Sequence, residues 1–551
     1  MAVRDGEHFD FIVVGGGTAG NCVAGRLAEN PKVRILVIEA GVGNPQDHPE
    51  ITTPANAMNL RNSAHDWSYK STLVKREDYE RVEKPNTRGK ALGGSSSLNY
   101  FTWVPGCKPT FDRWAEYGGK EWTWDPLVHY LRKSATYHDD PKLYLPQLRK
   151  IGGGGPIHIS HAELIEEMAP FRDNLQKAWG VRSASWVFLK DKPNITILAE
   201  THAKKLLINY ADRICRGVRA MTPDGKDLNV FADREVILSE GVFESPKLLM
   251  LSGIGPTREL AKFDVDVVVD SRHVGQNLVD HPAVPFVLRV KEGIGMDSAV
   301  LRKGAENEKL QAKYNKDHSG PMGSGFLEMV AFPRVDDYLE KDEAYRKAKE
   351  ANGGLDPFSP EGQPHFELDF VCLWGSAFQW HFPFPREGEH TTVVVDLVRP
   401  ISDPGEVTLR SADALEQPNI NLNFFANDLD IIAMREGIRF SYDVLTKGEG
   451  FKDLVIAESP WEMPLGSDEE VKRAVLDRCQ TAFHPVGTAR LSKSIDQGVV
   501  DPSLKVHGVR NLRVIDASVM PVIPDCRIQN SVYMVAEKGA DMIKAEHRDI
   551  Y

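Results

Sequence analysis

The sequence predicts an α/β protein with a second part of α+β character, and three observations carry that expectation. A strand, a glycine-rich turn, a helix and a second strand follow one another in "FDFIVVGGGTAGNCVAGRLAENPKVRILVIEAG", near the start of the chain. Two apolar strands of the same kind, "REVILSEG" and "NLRVIDAS", recur far downstream, each followed by a loop and a helix. Between them, residues 291–477 change texture to aromatic-rich strands such as "HFELDFVCLWGSAFQWHFPFP" and "HTTVVVDLVRP". Strand alternating with helix implies a parallel sheet covered on its faces, whereas a run of strands implies a mixed or antiparallel sheet.

In the first unit, residues 9–14 supply the apolar strand, 22–28 the helix and 33–38 the second strand, which Glu39 closes. The turn reads Gly15-x-Gly17-x-x-Gly20. The first glycine makes the bend and the second lets backbone approach a pyrophosphate. The third lets the helix pack closely on the sheet, whose helix N-terminus favours the anion. Glu39 is placed to accept hydrogen bonds from ribose hydroxyls, and an acid there disfavours a 2′-phosphate. Strand, glycines, helix, strand and terminal acid in this order predict a Rossmann-like dinucleotide site, open at this point to FAD or NAD.

The dispersed strands predict one nucleotide-binding domain drawn from residues 1–158, 196–290 and 478–551, with the second domain formed by 291–477 and an excursion at 159–195. The charged stretch 334–349 reads as a solvated helix. The aromatic run 370–384 either walls a small dry pocket or fills the second domain's core. Near the end, "PDCRIQNSVYMVAEKGADMI" carries Val532, Val535, Ala536, Gly539 and Met542 at the spacing of one apolar helix face, and Arg527 stands just ahead of it.

Composition bounds the function. The 551 residues are 41% hydrophobic and 26% charged, as in ordinary globular chains. A net charge of −12 argues against nucleic-acid binding. No run of about 18 apolar residues suggests a membrane span. The stretch "MAVRDGEHFD" carries acids where a leader has its apolar core, and "HRDIY" is not a peroxisomal ending, so a cytoplasmic location is expected. Six scattered cysteines without a CxxC pair suit free thiols, and no metal site is expected.

"RGKALGGSSSLNYFTWVPG", "GVFESPKLLMLSGIG", "VGQNLVDHP", "AFHPVGTARL" and "VDPSLKVHGVRNLRVIDASVMP" extend the pattern. Together with the N-terminal unit they resemble the signatures of the glucose-methanol-choline (GMC) oxidoreductases. The resemblance runs from residue 8 to about 545 and is weakest between roughly 290 and 390. It implies a Rossmann-like FAD-binding domain, a GMC-type substrate domain over the flavin, and oxidation by hydride transfer to flavin N5. It also implies which residues meet FAD: Gly15, Gly17, Thr18, Ala19 and Gly20 near the diphosphate, Glu39 on the ribose, and Ala203 near the adenine. Ser95, Asn99, Tyr100 and Thr102 would lie along the isoalloxazine, and Asp516 and Ala517 near the ribityl and pyrophosphate. Trp67, Gly94, Phe101, Ile528 and Gln529 complete the expected cofactor contacts. Some relatives bond their flavin to a histidine just before the motif asparagine. Leu98 stands there in this chain, so the FAD is expected to be held without a covalent link. Val242 replaces the small residue usual after the glycine of the second signature, which reads as a packing change.

The resemblance places the catalytic pair at His484 and Arg527, where relatives carry a second histidine or an asparagine. An alcohol needs a base to take its hydroxyl proton, and a guanidinium cannot be that base. It can hold a carboxylate through two parallel hydrogen bonds. Formate is the simplest carboxylate with a transferable hydride, and the pair resembles that of formate-oxidising members, with oxygen as acceptor and hydrogen peroxide as product. That resemblance further implies 8-formyl-FAD, formed by oxidation of the ring 8-methyl group. His484 would bond the second carboxylate oxygen or, as imidazolium, stabilise the reduced cofactor. His281, in "DHP", is read as packing. An alcohol or aryl-alcohol oxidiser with His484 as base and Arg527 turned away is the alternative, and an FAD-containing lyase the alternative of another class.

Overall fold

The computed structural model describes residues 3–79, 83–138, 153–160, 176–177, 180–375, 384–460 and 462–551. Its largest sheet runs in the order Ile195–Leu198, Ile35–Ile38, Glu7–Val14, Asp227–Leu238, Ile214–Met221, His202–Asn209. The first four strands pair in parallel, and Leu512–Val514 adds a parallel partner along the end of Asp227–Leu238. Strands Ile214–Met221 and His202–Asn209 complete the sheet as an antiparallel hairpin. Phe11 to Val14, Ile35 to Val37 and Val236 to Leu238 are all fully buried. Such unbroken apolar runs arise when both faces of a parallel strand are covered.

The three segments expected to share one domain therefore meet in one sheet. Helix Thr18–Leu27 starts earlier than the sequence suggested, directly at the glycine turn. It lies against the C-terminal helix Gln529–Glu546, where Arg26 Nη2 pairs with the buried Glu537 at 2.7 Å. Gly539 lets that helix approach closely, since a Cβ there would sit 2.8 Å from Ile515 Cδ1.

A second sheet is antiparallel throughout: Leu327–Ala331, Phe366–Val371, Glu389–Leu397, Pro282–Val290 and Val455–Glu458, with Gln480–Thr481 beside the start of Pro282–Val290. The strand read from "HFELDFV" alternates apolar side chains with Glu367 and Asp369, which puts both acids on one face. Tyr69–Val74 and Glu83–Asn86 join Asn419–Phe424 and Glu406–Thr408 in a smaller sheet, so an N-terminal segment pairs with one from beyond residue 400. The stretch 334–349 forms two short helices, Asp336–Leu339 and Glu343–Ala351, whose exposed face carries Asp337, Glu343, Arg346 and Lys347. Leu339 and Tyr345 are buried, and Asp342 caps the second helix while pairing with Arg435. Among the described residues no helix is long and apolar enough to cross a membrane.

The turn after Glu7–Val14 is held by contact between backbones. Gly15 has φ +96°, and a Cβ on Gly20 would meet the Gly15 carbonyl oxygen at 1.9 Å. Gly20→Ala cannot be absorbed by moving a side chain. It is expected to cost more than about 2 kcal/mol and to lower the melting temperature and bound cofactor together. A variant that melts with wild type would show that the helix can move off the turn at little cost.

Candidate active site

Gly15, Glu39, Ser239 and Asp516 each follow the carboxyl end of a parallel strand, and at that edge the structure opens into a cavity of about 250 Å³. Ligands of open α/β sheets bind there. The cavity is lined by Gly15, Gly17, Thr18, Ala19, Glu39, Trp67, Gly94, Ser95, Asn99, Tyr100, Thr102, Ala203, His484, Asp516, Ala517, Arg527, Ile528 and Gln529. Of the expected site residues, Gly20 and Phe101 are outside this lining. Gly20 serves the helix–turn contact. The Phe101 ring lies under the Arg182 guanidinium at 4.0 Å, with its backbone at φ +68°.

The walls suit a long, polar, anionic ligand. The loop at Gly94 closes directly on Gly17, where a Cβ on Gly94 would come within 2.8 Å of the Gly17 Cα. The first-turn N–H groups of helix Thr18–Leu27 have no partner within the helix. Glu39 is buried, and its carboxylate accepts the Gly16 N–H at 3.0 Å and the Gly41 N–H at 2.7 Å. Burial outweighs those two bonds and pushes its pKa up to about 7. Asp516 is likewise raised by burial and is fixed by Ser245, Ser518 and the Gly241 N–H. Two buried wall atoms, Thr102 Oγ1 and Glu240 Oε2, have no hydrogen-bond partner among the described residues. Buried polar atoms are rarely left so, which marks both as places for ligand contacts. Asn99 donates to Gln529 Oε1 at 2.6 Å, while Arg182 holds Asn99 Oδ1 at 2.8 Å and the Ser96 carbonyl at 3.1 Å.

At the other end, strand pairing assembles the catalytic corner. Thr481 lies opposite Pro282, which brings His281 and His484 together from either side of the pair. Asp280 ties the two segments: it accepts the backbone N–H of His281 at 2.8 Å and of His484 at 2.9 Å, and the Thr481 hydroxyl. Burial raises its pKa to about 6. The imidazoles bond Nδ1 to Nδ1 at 3.1 Å, which leaves Nε2 of His484 without a hydrogen bond among the described residues. Burial, then His281 and Arg527, hold His484 well below the usual histidine range, and burial brings His281 down to about 3. His484 is therefore a neutral imidazole before ligand binds, rather than an imidazolium. His281, expected to be packing, orients it.

Arg527 is largely buried, with 11% of its side chain exposed, and faces the cavity, as expected, but it is already partnered. Its Nε donates to Glu367 Oε1 at 3.1 Å and its Nη2 pairs with Asp369. Asp396 lies opposite Glu367 on the neighbouring strand. Burial raises all three carboxyls, against the pull of Arg527. The motifs pointed to neither these acids nor His281. The available signal was two acids at alternate positions of an otherwise apolar strand. Of the aromatic run 370–384, residues 376–383 lie outside the described residues. Phe370 stacks on Phe451, Trp374 packs on His390, and the Phe384 ring faces Arg302.

Comparison with known proteins places this site in a family. GMC oxidoreductase models match residues 9–178 and 173–283, and 400–536, and the chain belongs to the GMC oxidoreductase family. It is an FAD-dependent oxidoreductase. Structures of formate oxidase from Aspergillus oryzae RIB40 are 70% identical, cover both chains completely and superpose with a TM-score of 0.96. Two of them concern the effect on FAD modification of replacing an arginine by lysine or by alanine. Mouse mitochondrial choline dehydrogenase is 29% identical over 574 residues, covering 98% of this chain and 90% of its own. Ecdysone oxidase of Spodoptera littoralis is 30% identical over 591 residues, with 99% and 93% covered.

Two outcomes follow for the cofactor. Glu39→Gln replaces an acceptor pair with one acceptor and one donor, and the donor must face Gly16 or Gly41. A lost charge-assisted bond of about 1.5–3 kcal/mol corresponds to a ten- to hundredfold weaker FAD complex, measurable by flavin fluorescence on titration. Unchanged affinity would mean that the ribose is held elsewhere. Because Leu98 cannot form a histidyl link, acid denaturation should release all the flavin, and colour left in the pellet would contradict that.

Proposed function

We propose that this enzyme oxidises formate to carbon dioxide, with oxygen as electron acceptor and hydrogen peroxide as the second product. The observation that carries this reading is Arg527, a largely buried guanidinium in the cavity wall beside a neutral His484. An alcohol oxidiser needs a base at that corner, and a permanently charged group weakens that reading. Carboxylate oxygens suit the guanidinium fork, and the 70% identity to formate oxidase of Aspergillus oryzae supports the same substrate. That an arginine bears on flavin modification in that protein also suits 8-formyl-FAD, held non-covalently, in this one.

When bound, FAD would supply a hydride acceptor that oxygen can reoxidise. The chain's residues do the rest. Gly15, Gly17, Thr18 and Ala19 would hold the diphosphate, Glu39 the ribose, and Ser95, Asn99, Tyr100 and Thr102 the ring. Arg527 draws the substrate carboxylate to one face of the cavity and fixes the direction of its C–H bond. His484 Nε2, with its tautomer set by the bond from His281, donates to the second carboxylate oxygen. The C–H bond breaks with its electron pair leaving as hydride, and the remaining atoms depart as carbon dioxide. No hydroxyl proton has to be removed. Holding reacting atoms in line is the main contribution, since a small displacement sharply lowers the rate.

Arg527→Ala removes the cation that meets the substrate anion, and losing a buried partner costs about 3–5 kcal/mol. Formate efficiency is expected to fall at least about a hundredfold. Arg527→Lys keeps the charge but loses the planar fork, and is expected to fall nearly as far. The measurement is anaerobic flavin reduction by formate, with methanol and benzyl alcohol as comparisons. Equal formate rates in wild type and Arg527→Ala would remove the formate assignment.

A further inference from the structure

Arg527 shares its dry site with more negative charge than it can balance. Glu367 and Asp369 alternate along Phe366–Val371, and Asp396 stands directly opposite Glu367 on Glu389–Leu397, so the three side chains share one sheet face. Their exposures are 0%, 1% and 1%. Arg527 reaches one oxygen each of Glu367 and Asp369, while Glu367 Oε2, Asp369 Oδ1 and Asp396 Oδ1 have no hydrogen-bond partner among the described residues. Among the described residues Arg527 is the cation that acts on these three acids, while Arg399 meets Glu361 and Asp525. Asp525, beside Arg527 in sequence, adds an acid and accepts the Cys107 N–H at 3.2 Å. Asp280 caps the histidine loops, and His281 and His484 are held neutral. Burial keeps the Tyr100 phenol protonated, raising it to about 12. Arg88 faces Asp280 and the Phe483 carbonyl.

Three carboxylates against one guanidinium cannot all stay ionised out of water. Unpaired buried charge is costly enough that the group takes a proton instead. An incoming anion makes the imbalance worse unless a further proton arrives with it. We propose that Glu367, Asp369 and Asp396 form a proton-holding counter-cluster to Arg527, so that the pocket takes up a small monocarboxylate together with one proton from solvent. The balance is simple: the anion's oxygens take N–H donors of Arg527, one cluster carboxylate gains the proton, and the pocket's net charge is unchanged. Glu367 and Asp369 are thereby positioning residues, which hold the guanidinium in the empty pocket and yield it to substrate. This inference rests on the reading of the site as a monocarboxylate site.

Acetate is the probe, because its carboxyl carbon has no hydrogen to transfer. Calorimetric titration of the holoenzyme at about pH 8, in buffers of different ionisation enthalpy, is expected to show about one proton taken up per acetate bound. The dissociation constant, followed also by the flavin spectrum, is expected to rise about tenfold per pH unit across the alkaline range. Glu367→Gln fixes one member neutral. Asp369 also meets Arg527, so the double variant Glu367→Gln/Asp369→Asn should abolish most of the uptake, flatten the pH dependence and tighten acetate binding at about pH 8 by about tenfold or more. Binding without proton uptake in wild type overturns the proposal by itself, even if formate still reduces the flavin. Uptake unchanged in the double variant also overturns it, since the proton would then go to another group such as His484. Failure of both acetate and formate to bind at any pH overturns it together with the formate reading.

Discussion

The ion group around Arg527 is the constraint to which the rest of the substrate end answers. One guanidinium meets the buried Glu367 and Asp369, with the buried Asp396 alongside. Two neighbouring imidazoles are neutral because burial and that same positive charge disfavour their cationic forms. The corner therefore has one fixed cation, several acids that hold protons, and a histidine able to donate or accept. That is a poor arrangement for pulling a proton from an alcohol. It is a good one for holding a planar anion whose oxidation needs no base.

Both halves of the fold are needed to build this corner. The parallel sheet brings Gly15, Glu39, Ser239 and Asp516 to one edge, which sets the dinucleotide end of the cavity. The antiparallel sheet supplies the acids, and its short partner strand Gln480–Thr481 delivers His484 to His281. Arg527 sits two residues before helix Gln529–Glu546, whose far face is buried against Thr18–Leu27. A helix anchored on the dinucleotide side therefore carries the cation into the acids of the other sheet. The buried Arg26–Glu537 pair is part of that anchor. A change there would act on Arg527 through the direction of the helix, without touching substrate.

Much of this was legible in the chain. Gly15, Gly17, Gly20 and Glu39 stand where the strand–turn–helix–strand order puts them, and the turn requires glycine at Gly15 for its positive φ and at Gly20 for its contact with the Gly15 carbonyl. The C-terminal helix showed its buried face through Val532, Val535 and Ala536. The charged stretch 334–349 showed its solvated face, but not that Leu339 and Tyr345 pack inward or that Asp342 pairs across to Arg435. Composition does not reveal such a pairing. Glu367, Asp369 and Asp396 were unread for a related reason. An acid in a strand is ordinarily solvated, and only the three-dimensional register shows that these point at a buried arginine. His281 was taken for packing because its partner, His484, lies two hundred residues away. Phe101 followed its neighbours into the expected cofactor contacts, but its backbone turns it away toward Arg182.

The choice of arginine at residue 527 follows from the number of partners it must serve. A guanidinium presents donors along three edges of one plane. Its Nε meets Glu367 and its Nη2 meets Asp369, and the group still forms part of the cavity wall. A lysine could neutralise one carboxylate, but its ammonium is a strongly hydrated point charge with no fixed fork, and drying it costs more. A histidine could supply a base, yet beside Asp369 and Glu367 it would be held as the cation and lose that use. The acids and the arginine are thus mutually required. Without the acids the guanidinium would be an unpaired buried charge, and without the guanidinium the acids would be three neutral groups with nothing to orient. Anion specificity belongs to the pair of sheets that holds them together, and Arg527 is its point of contact.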